Sequence, residues 1–275
     1  MGAPMARHLA EAGHDVRLWN RTREKAEEVT GVTVADSPES AAGGADVVVT
    51  MLSNADAVMS VAPSLVTGEA LWVQMSTVGL EATHSAMSLA SRRGAPFVDA
   101  PVLGTKQPAE EGQLVVLASG PDDAIEQAGP IFGAVGSKTV RLGGADEATR
   151  MKLVLNTWLL SLVEGLAETI ALSESIGVDP RRFLEIIDGA PMGTPYAQVK
   201  GKAMIAREFP PSFPLSLAHK DAQLVLAAAE EAGVSLPAVR EVERQFARAA
   251  GDGHGDEDMA AVFTATGPVT PASGH

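Results

Sequence analysis

The sequence predicts an α/β chain in two parts, a doubly wound N-terminal domain over residues 1–143 and an all-helical domain over residues 144–275, joined by a long helix. Three observations carry this. The first half alternates short β-rich runs with helical runs, as parallel α/β sheets do. The second half is helical in pattern throughout. Between them, residues 146–176 contain neither proline nor glycine apart from Gly165, and end at a Gly177 stop.

Taken in order, Gly2 to Ala12 reads as a helix with Met5, Leu9 and Ala12 inward and Gly13 as its stop. His14 to Trp19 reads as a strand, and Glu24 to Val29 as a helix. Ala45 to Leu52 reads as a buried strand from its continuous valine run. Leu71 to Ser76 is another strand, and Leu80 to Ser91 a helix closed by Arg92-Arg93-Gly94. Phe97-Val98, Leu114 to Ala118 and Thr139 to Leu142 complete the strands.

A doubly wound sheet normally opens with a strand, a turn of the form G-x-G-x-x-G and a helix. Here the helix comes first, and Met1-Gly2-Ala3-Pro4-Met5-Ala6 reads as the end of that fingerprint, with Gly2 in the third glycine position. The Rossmann-like reading therefore places an opening strand and two glycines upstream of Met1. The alternative is a fold without that strand.

The next strand runs into Asn20-Arg21-Thr22-Arg23. An NAD site wants an acidic residue here for the ribose 2′-hydroxyl, whereas an arginine among small polar residues suits a 2′-phosphate. The expected cofactor is NADP, with NAD the second choice, and Asn20, Arg21 and Thr22 as contacts; otherwise the turn is simply an exposed basic helix start. The strand ends Met51-Leu52-Ser53 and Ser76-Thr77 feed the carboxyl edge of the sheet, where ligands of open α/β sheets bind. Met51, Leu52, Ser53 and Thr77 are thus candidate cofactor contacts. Ser53 and Thr77 also suit helix N-caps, a compatible role, since a helix start offers free N–H groups to an anion.

The joining helix carries the candidate chemistry. Asp146 suits an N-cap and Glu147 the first turn. Thr157, Ser161, Glu164 and Glu168 cluster on one side, as a solvated or interface stripe would. Lys152 and Asn156 stack at i, i+4 on a face continued by Val163, Ala167 and Ile170. Lys152 either snorkels to solvent at the helix end or is a desolvated lysine poised for proton transfer, with Asn156 holding a substrate or the lysine itself.

Composition bounds the partners. Net charge is −14 with no run of Lys or Arg, so nucleic acid and anionic membrane are poor partners. The longest apolar stretch, Leu153 to Ile170, is interrupted by Asn156, Glu164 and Glu168, short of the ~20 uninterrupted residues of a typical span. There is no cysteine, hence no thiol chemistry and no Cys-ligated metal, and the six histidines show no metal-ligand spacing. No signal peptide is evident, so a cytoplasmic location is expected.

After Gly177 the pattern gives helices over Pro180 to Asp188, Tyr196 to Ile205, Ser216 to Ala232 and Pro237 to Ala250, and a last one near Glu257 to Thr264. His219 reads as structural. Lys220-Asp221 taken locally reads as a surface pair. The Gly/Pro/Ser/Thr-rich tail from Thr266 is expected to be disordered. So apolar a helical half is expected to form a homodimer or homotetramer, with Trp158, Leu159 and Leu162 in or near the interface.

Together the motifs resemble the β-hydroxyacid dehydrogenase family, the 3-hydroxyisobutyrate dehydrogenase-like enzymes, over essentially the whole chain. The likeness rests on Met1-Gly2-Ala3-Pro4-Met5-Ala6, Asn20-Arg21-Thr22, Met51-Leu52, Ser76-Thr77, Asp99-Ala100-Pro101-Val102, Lys152 with Asn156, Lys220-Asp221 and Gly255-Asp256-Glu257-Asp258. It implies a Rossmann domain and an all-helical domain joined by a long helix. It implies Lys152 as catalytic acid/base, Asn156 against substrate, Lys220 near the cofactor, and Arg21 selecting NADP. The phosphogluconate dehydrogenases share the Rossmann half but are much longer.

Two segments depart from that pattern. Leu103-Gly104-Thr105 stands where the family has Ser-Gly-Gly holding the substrate carboxylate, and Asp146-Glu147-Ala148 replaces Gly-x-Gly before the lysine. The function expected is reversible hydride transfer between NADP(H) and a small β-hydroxyacid or related semialdehyde. Val102, Leu103, Gly104 and Thr105 would hold the far end of the substrate. Burial would bring Lys152 from about 10.4 toward a useful pKa. One alternative is an imine or semialdehyde reductase with a more apolar substrate, as Leu103 suggests. The other is a non-enzymatic nucleotide-binding or scaffold oligomer with an incomplete fingerprint.

Overall fold

A computed structural model of the chain describes residues 1–66 and 68–266. The tail expected to be disordered lies, beyond Thr266, outside the described residues. These fall into two compact units, Met1–Val154 and Leu155 onward.

The first unit runs α1 (Gly2–Glu11), β1 (Arg17–Leu18), α2 (Arg23–Glu27), β2 (Thr33–Val34), α3 (Pro38–Ala42), β3 (Val47–Thr50), α4 (Ala55–Leu65), β4 (Leu71–Gln74), α5 (Gly79–Arg93), β5 (Phe97–Asp99), β6 (Val102–Leu103), α6 (Lys106–Glu110), β7 (Leu114–Ser119), α7 (Asp122–Gln127), α8 (Gly129–Val135) and β8 (Gly136–Leu142). It ends with the first turns of α9 (Glu147–Ser175).

The sheet is mixed, where a parallel one was expected. Strands β3, β4 and β5 are parallel neighbours, but β7 pairs antiparallel with β5, through Asp99↔Ser119, and with β6, while β8 returns parallel to β7. Two faces are packed. Met5 and Leu9 of α1 and Phe132 of α8 cover Leu71, Val73 and Met75. Val58 and Leu65 of α4 and Leu89 of α5 cover Val48 and Trp72. This is the alternation a doubly covered sheet requires.

Strands β1 and β2 form a separate parallel pair, and among the described residues share no ladder with β3. Between them lies a groove of about 370 Å³ lined by Gly2, Met5, Leu9, Leu18, Val47 and Val49. Val47 and Val49 are therefore half-buried, where the valine run predicted full burial.

Shorter elements escaped the sequence pattern. Ser37 and Ser40 make a capping box that starts α3 at Pro38. Asn54, not Ser53, caps α4 by accepting from the Ala57 N–H at 2.8 Å. The residue before α5 is Val78, not Thr77, and α5 ends as expected, at Gly94 in the left-handed conformation with φ 68°. Strand β6, only two residues long, is another such element.

The second unit holds the rest of α9, then α10 (Pro180–Ile187), α11 (Pro195–Ala206), α12 (Leu215–Glu231) and α13 (Pro237–Ala249), a π turn over Ala250–His254 and a 3-10 helix over Met259–Ala265. Leu160, Val163, Ala167 and Ile170 of α9 centre its core, against Leu184, Met204, Phe246 and Met259. On α12, His219 Nε2 lies 2.7 Å from Glu243 Oε1 of α13. Helix α9 is long and apolar enough, by length and composition, to cross a membrane, and 44% of its most apolar window is buried inside the fold. The expected polar stripe is broken, because Glu164 is only 6% exposed.

Candidate active site

The carboxyl ends of β3 and β4 are fixed by a buried polar network. Gln74 Oε1 accepts from the Ser76 N–H at 2.7 Å, and Gln74 Nε2 donates to the Ser76 carbonyl at 2.8 Å. Ser76 Oγ accepts from the Leu52 N–H at 2.8 Å. The Trp72 indole donates to Thr50 Oγ1 at 3.0 Å. Each buried polar group here has a partner inside the sheet, so the backbone at Met51-Leu52 and Ser76-Thr77 is held rigidly at the sheet edge. Gln74 read only as a strand residue in the sequence.

Two features of the first unit fit a dinucleotide phosphate. Helix α1 starts at Gly2, and the N–H groups of a helix start suit an anion. A Cβ added at Gly2 would sit 3.5 Å from the Met51 carbonyl oxygen, so the helix start lies against the end of β3. Arg21 is exposed in the turn after β1. There the Asn20 side chain donates to the Thr22 carbonyl at 2.7 Å, and Thr22 precedes α2. The neighbouring Arg23 is engaged instead with Glu27, at 2.7 Å, and with Asp36.

The segment from Asp99 to Thr105 meets the start of α9. Lys152 is 8% exposed, and its Nζ donates to the Val102 carbonyl at 2.9 Å. It is buried rather than snorkelling. Val102 and Leu103 pair with Val116 and Val115 of β7, which makes this stretch a strand end rather than a free loop. Gly104 has φ +127°, and a Cβ there would come within 2.6 Å of Leu114 Cδ2 and 3.1 Å of Pro108. Both the backbone angle and the space demand glycine. Thr105 begins α6 without a side-chain cap.

Asp146 precedes α9, but its carboxylate does not cap it. It meets His84 Nε2 at 2.8 Å and accepts from Arg150 at 2.8 Å. Burial pushes the Asp146 carboxyl up, and His84 and Arg150 outweigh this and hold it below the ordinary range. The free N–H groups of the first turn go elsewhere. Ala148 N–H donates to Ser119 Oγ at 3.1 Å, and Thr149 N–H to Asp99 Oδ2 at 2.7 Å. Neither partner is signalled locally, since both come from distant strands.

In the second unit, Asn156 is 1% exposed and donates from Nδ2 to Asp221 Oδ2 at 2.9 Å. Its amide oxygen is buried without a hydrogen-bond partner among the described residues, so it can accept from a ligand donor. Lys220 Nζ lies 2.9 Å from Asp221 Oδ1, and its side chain is 22% exposed. The pair is largely buried, contrary to the local reading of a surface pair.

Residues 1–144 match the family model for the NAD-binding domain of 6-phosphogluconate dehydrogenase. Residues 147–266 match that for the NAD-binding region of NADP-dependent 3-hydroxyisobutyrate dehydrogenase. The chain is 33% identical over 274 residues to glyoxylate/succinic semialdehyde reductase 2, chloroplastic, of Arabidopsis thaliana, with 96% of this chain and 76% of that protein covered. It is 32% identical to reductase 1 of the same plant, covering 96% and 94%. Among solved structures, 3-hydroxyisobutyrate dehydrogenase of Mycobacterium tuberculosis with L-serine superposes with a TM-score of 0.86 at 27% identity, covering 97% of this chain and 95% of that one.

Proposed function

The chain belongs to the β-hydroxyacid dehydrogenase family, whose members are NAD(P)-dependent dehydrogenases and reductases, and on that premise we propose that it interconverts a small semialdehyde or related carbonyl acid and its hydroxyacid, using NADP(H). The observation that carries the reading is Lys152, a buried lysine whose Nζ lies 2.9 Å from the Val102 carbonyl in β6. The names of the two plant reductases support a semialdehyde or glyoxylate-like substrate. Arg21 supports NADP over NAD, since a guanidinium pairs with a 2′-phosphate and no carboxylate stands in its turn.

Bound NADP(H) supplies the hydride in reduction and takes it in oxidation. Lys152 gives a proton from Nζ to the carbonyl oxygen as the alcohol forms, and recovers it in the reverse direction. The Val102 carbonyl aims Nζ by accepting one of its three N–H bonds. Asn156 offers its unpaired Oδ1 to the substrate while Asp221 holds its amide nitrogen. Backbone from Val102 to Thr105 holds the far end of the substrate. Gln74 and Ser76 keep the Met51-Leu52-Ser53 and Thr77 ends in place for the cofactor. Lys220, tied to Asp221, is the cofactor-side lysine.

A second reading is favoured by Leu103, which is half-buried in β6 where the family has a serine hydroxyl. That side chain suits an imine or a more apolar semialdehyde. We also infer self-association through α9, where Met151, Val154, Trp158, Leu172 and Ile176 are exposed along the helix.

One kinetic series tests the central proposal. Lys152→Ala is expected to lower kcat at least ~100-fold with cofactor affinity nearly unchanged. Arg21→Ala is expected to raise the NADPH KM roughly tenfold and leave NADH unaffected. Turnover by the lysine variant with the parent's pH dependence would exclude Lys152 as acid/base.

A further inference from the structure

Asp99 is fully buried at the end of β5. Oδ2 accepts from the Thr149 N–H at 2.7 Å, and Oδ1 accepts from Thr149 Oγ1 at 2.9 Å. Its bridge partner Ser119 accepts from the Ala148 N–H next door. Val102, at the far end of the same short segment, receives Lys152 Nζ. Residues 99–102 thus grip α9 twice, at its first turn and at the lysine. We propose that Asp99 is a positioning residue for Lys152, a buried carboxyl that sets the rotation and height of the α9 start and so the reach of Nζ. This rests on the reading of Lys152 as the acid/base.

A simple cap does not need this arrangement. A helix start is satisfied by a local Ser, Asn or Asp, and Asp146 is in the right place, yet it is committed to His84 and Arg150. The chain instead buries a carboxyl, which is costly unless its bonds are well made. Burial pushes the Asp99 carboxyl up to about 7; the Thr149 bonds oppose this, and the Asp146 charge adds to it. The charge that acts on it is that of Asp146, which is itself tied to His84 on α5 and to Arg150; Lys152 lies one turn along α9 from Thr149.

Counting protons shows why both charge states are accommodated. Thr149 Oγ1 lies 3.2 Å from Thr83 Oγ1, which lies 2.8 Å from the Gly79 carbonyl. A protonated Asp99 can donate to Thr149 Oγ1, Thr149 to Thr83, and Thr83 to Gly79, a complete chain of donors. In the ionised state Thr149 donates to Asp99, and the single Thr83 proton must choose between Thr149 and Gly79. The ionised form instead gains from the α9 N–H groups and helix dipole. The charge on Asp99 is therefore linked to how tightly the first turn of α9 is held.

The test compares the parent with Asp99→Asn and Thr149→Val, two independent ways of weakening the grip. Lysines are reductively methylated with 13C, and the Lys152 resonance is assigned by its loss in Lys152→Arg. Its titration is then followed by NMR, alongside kcat and KM across pH. The expected result is a displaced Lys152 midpoint and a kcat lower by ~10- to 100-fold in both variants, with cofactor KM unchanged. In Asp99→Asn the kcat profile should also lose its inflection near neutral pH.

Folded variants that melt at lower temperature but keep the parent's Lys152 midpoint and kcat would make Asp99 a cap only and overturn the proposal. If Lys152→Arg keeps full turnover while Asp99→Asn still moves the Lys152 titration, the catalytic reading fails and the positioning stands.

Discussion

Lys200 Nζ lies 2.6 Å from Asp258 Oδ1, with both side chains only 4% exposed. Asp258 Oδ2 also accepts from Ser212 Oγ at 2.7 Å and from the Ser212 and Phe213 N–H groups, both at 3.1 Å. Through Oδ1 it caps the closing 3-10 helix by accepting from Ala260 N–H at 3.0 Å. Burial pushes this carboxyl up, but Lys200, Ala260 and Ser212 outweigh that and hold it below the ordinary range.

Removing one partner of such a pair leaves the other charge buried. Lys200→Met is expected to destabilise the protein by about 3–5 kcal/mol at pH 7, read by urea denaturation. The folded pKa of Asp258 is depressed, so its contribution is present above the unfolded pKa and is lost as pH falls through the folded value. The gap between parent and variant should therefore narrow in acid. An equal gap at pH 7 and pH 3 would remove the pair as its source.

Glu164 behaves in the opposite sense. It is 6% exposed, its Oε2 has no hydrogen-bond partner among the described residues, and burial, with Glu168 and Glu241 adding repulsion, pushes its pKa to about 8. The folded state holds its proton more tightly than the unfolded state, so this group removes stability as pH rises from about 4.5 to about 8. Glu164→Gln is expected to melt like the parent at pH 4.5 and roughly 5–10 °C higher at pH 8.5. A melting difference that does not change with pH would contradict the assignment.

The apolar stripe on α9 is the third test. Trp158 is 65% exposed and Val154 64%. If this face meets a second copy, Trp158→Glu should shift the sedimentation coefficient to that of a monomer while leaving the circular dichroism unchanged. A parent that sediments as a monomer at micromolar concentration would sink the inference.

The long helix, its Gly177 stop and the helices after Pro180 were legible because helical periodicity, proline starts and glycine stops are local signals. Lys152 and Asn156 stood out for a similar reason, as polar residues on an apolar stripe. The first-half strands were legible in place but not in sense. Nothing in Leu114 to Ser119 says that β7 runs against β5, because pairing direction is a long-range property. The holders of the site were illegible too. Ser119 and Thr149 reach their partners across 29 and 50 residues of chain. Ser53 and Thr77 misled, as Asn54 supplied the cap of α4 and α5 took none.

The groove between β1 and β3 has a consequence for solvation. The carbonyls of Asp46, just before β3, and of Thr50 serve the β4 side, and those of Val16, just before β1, and of Leu18 serve the β2 side. By alternation, the backbone groups of Val47, Val49 and Arg17 point the other way. Those N–H and C=O groups must be hydrated or otherwise paired, because a buried orphan costs about 1–3 kcal/mol. Its valine and leucine walls notwithstanding, the groove resists closing by simple collapse. Only an occupant that brings its own ladder of donors and acceptors could dry it without loss.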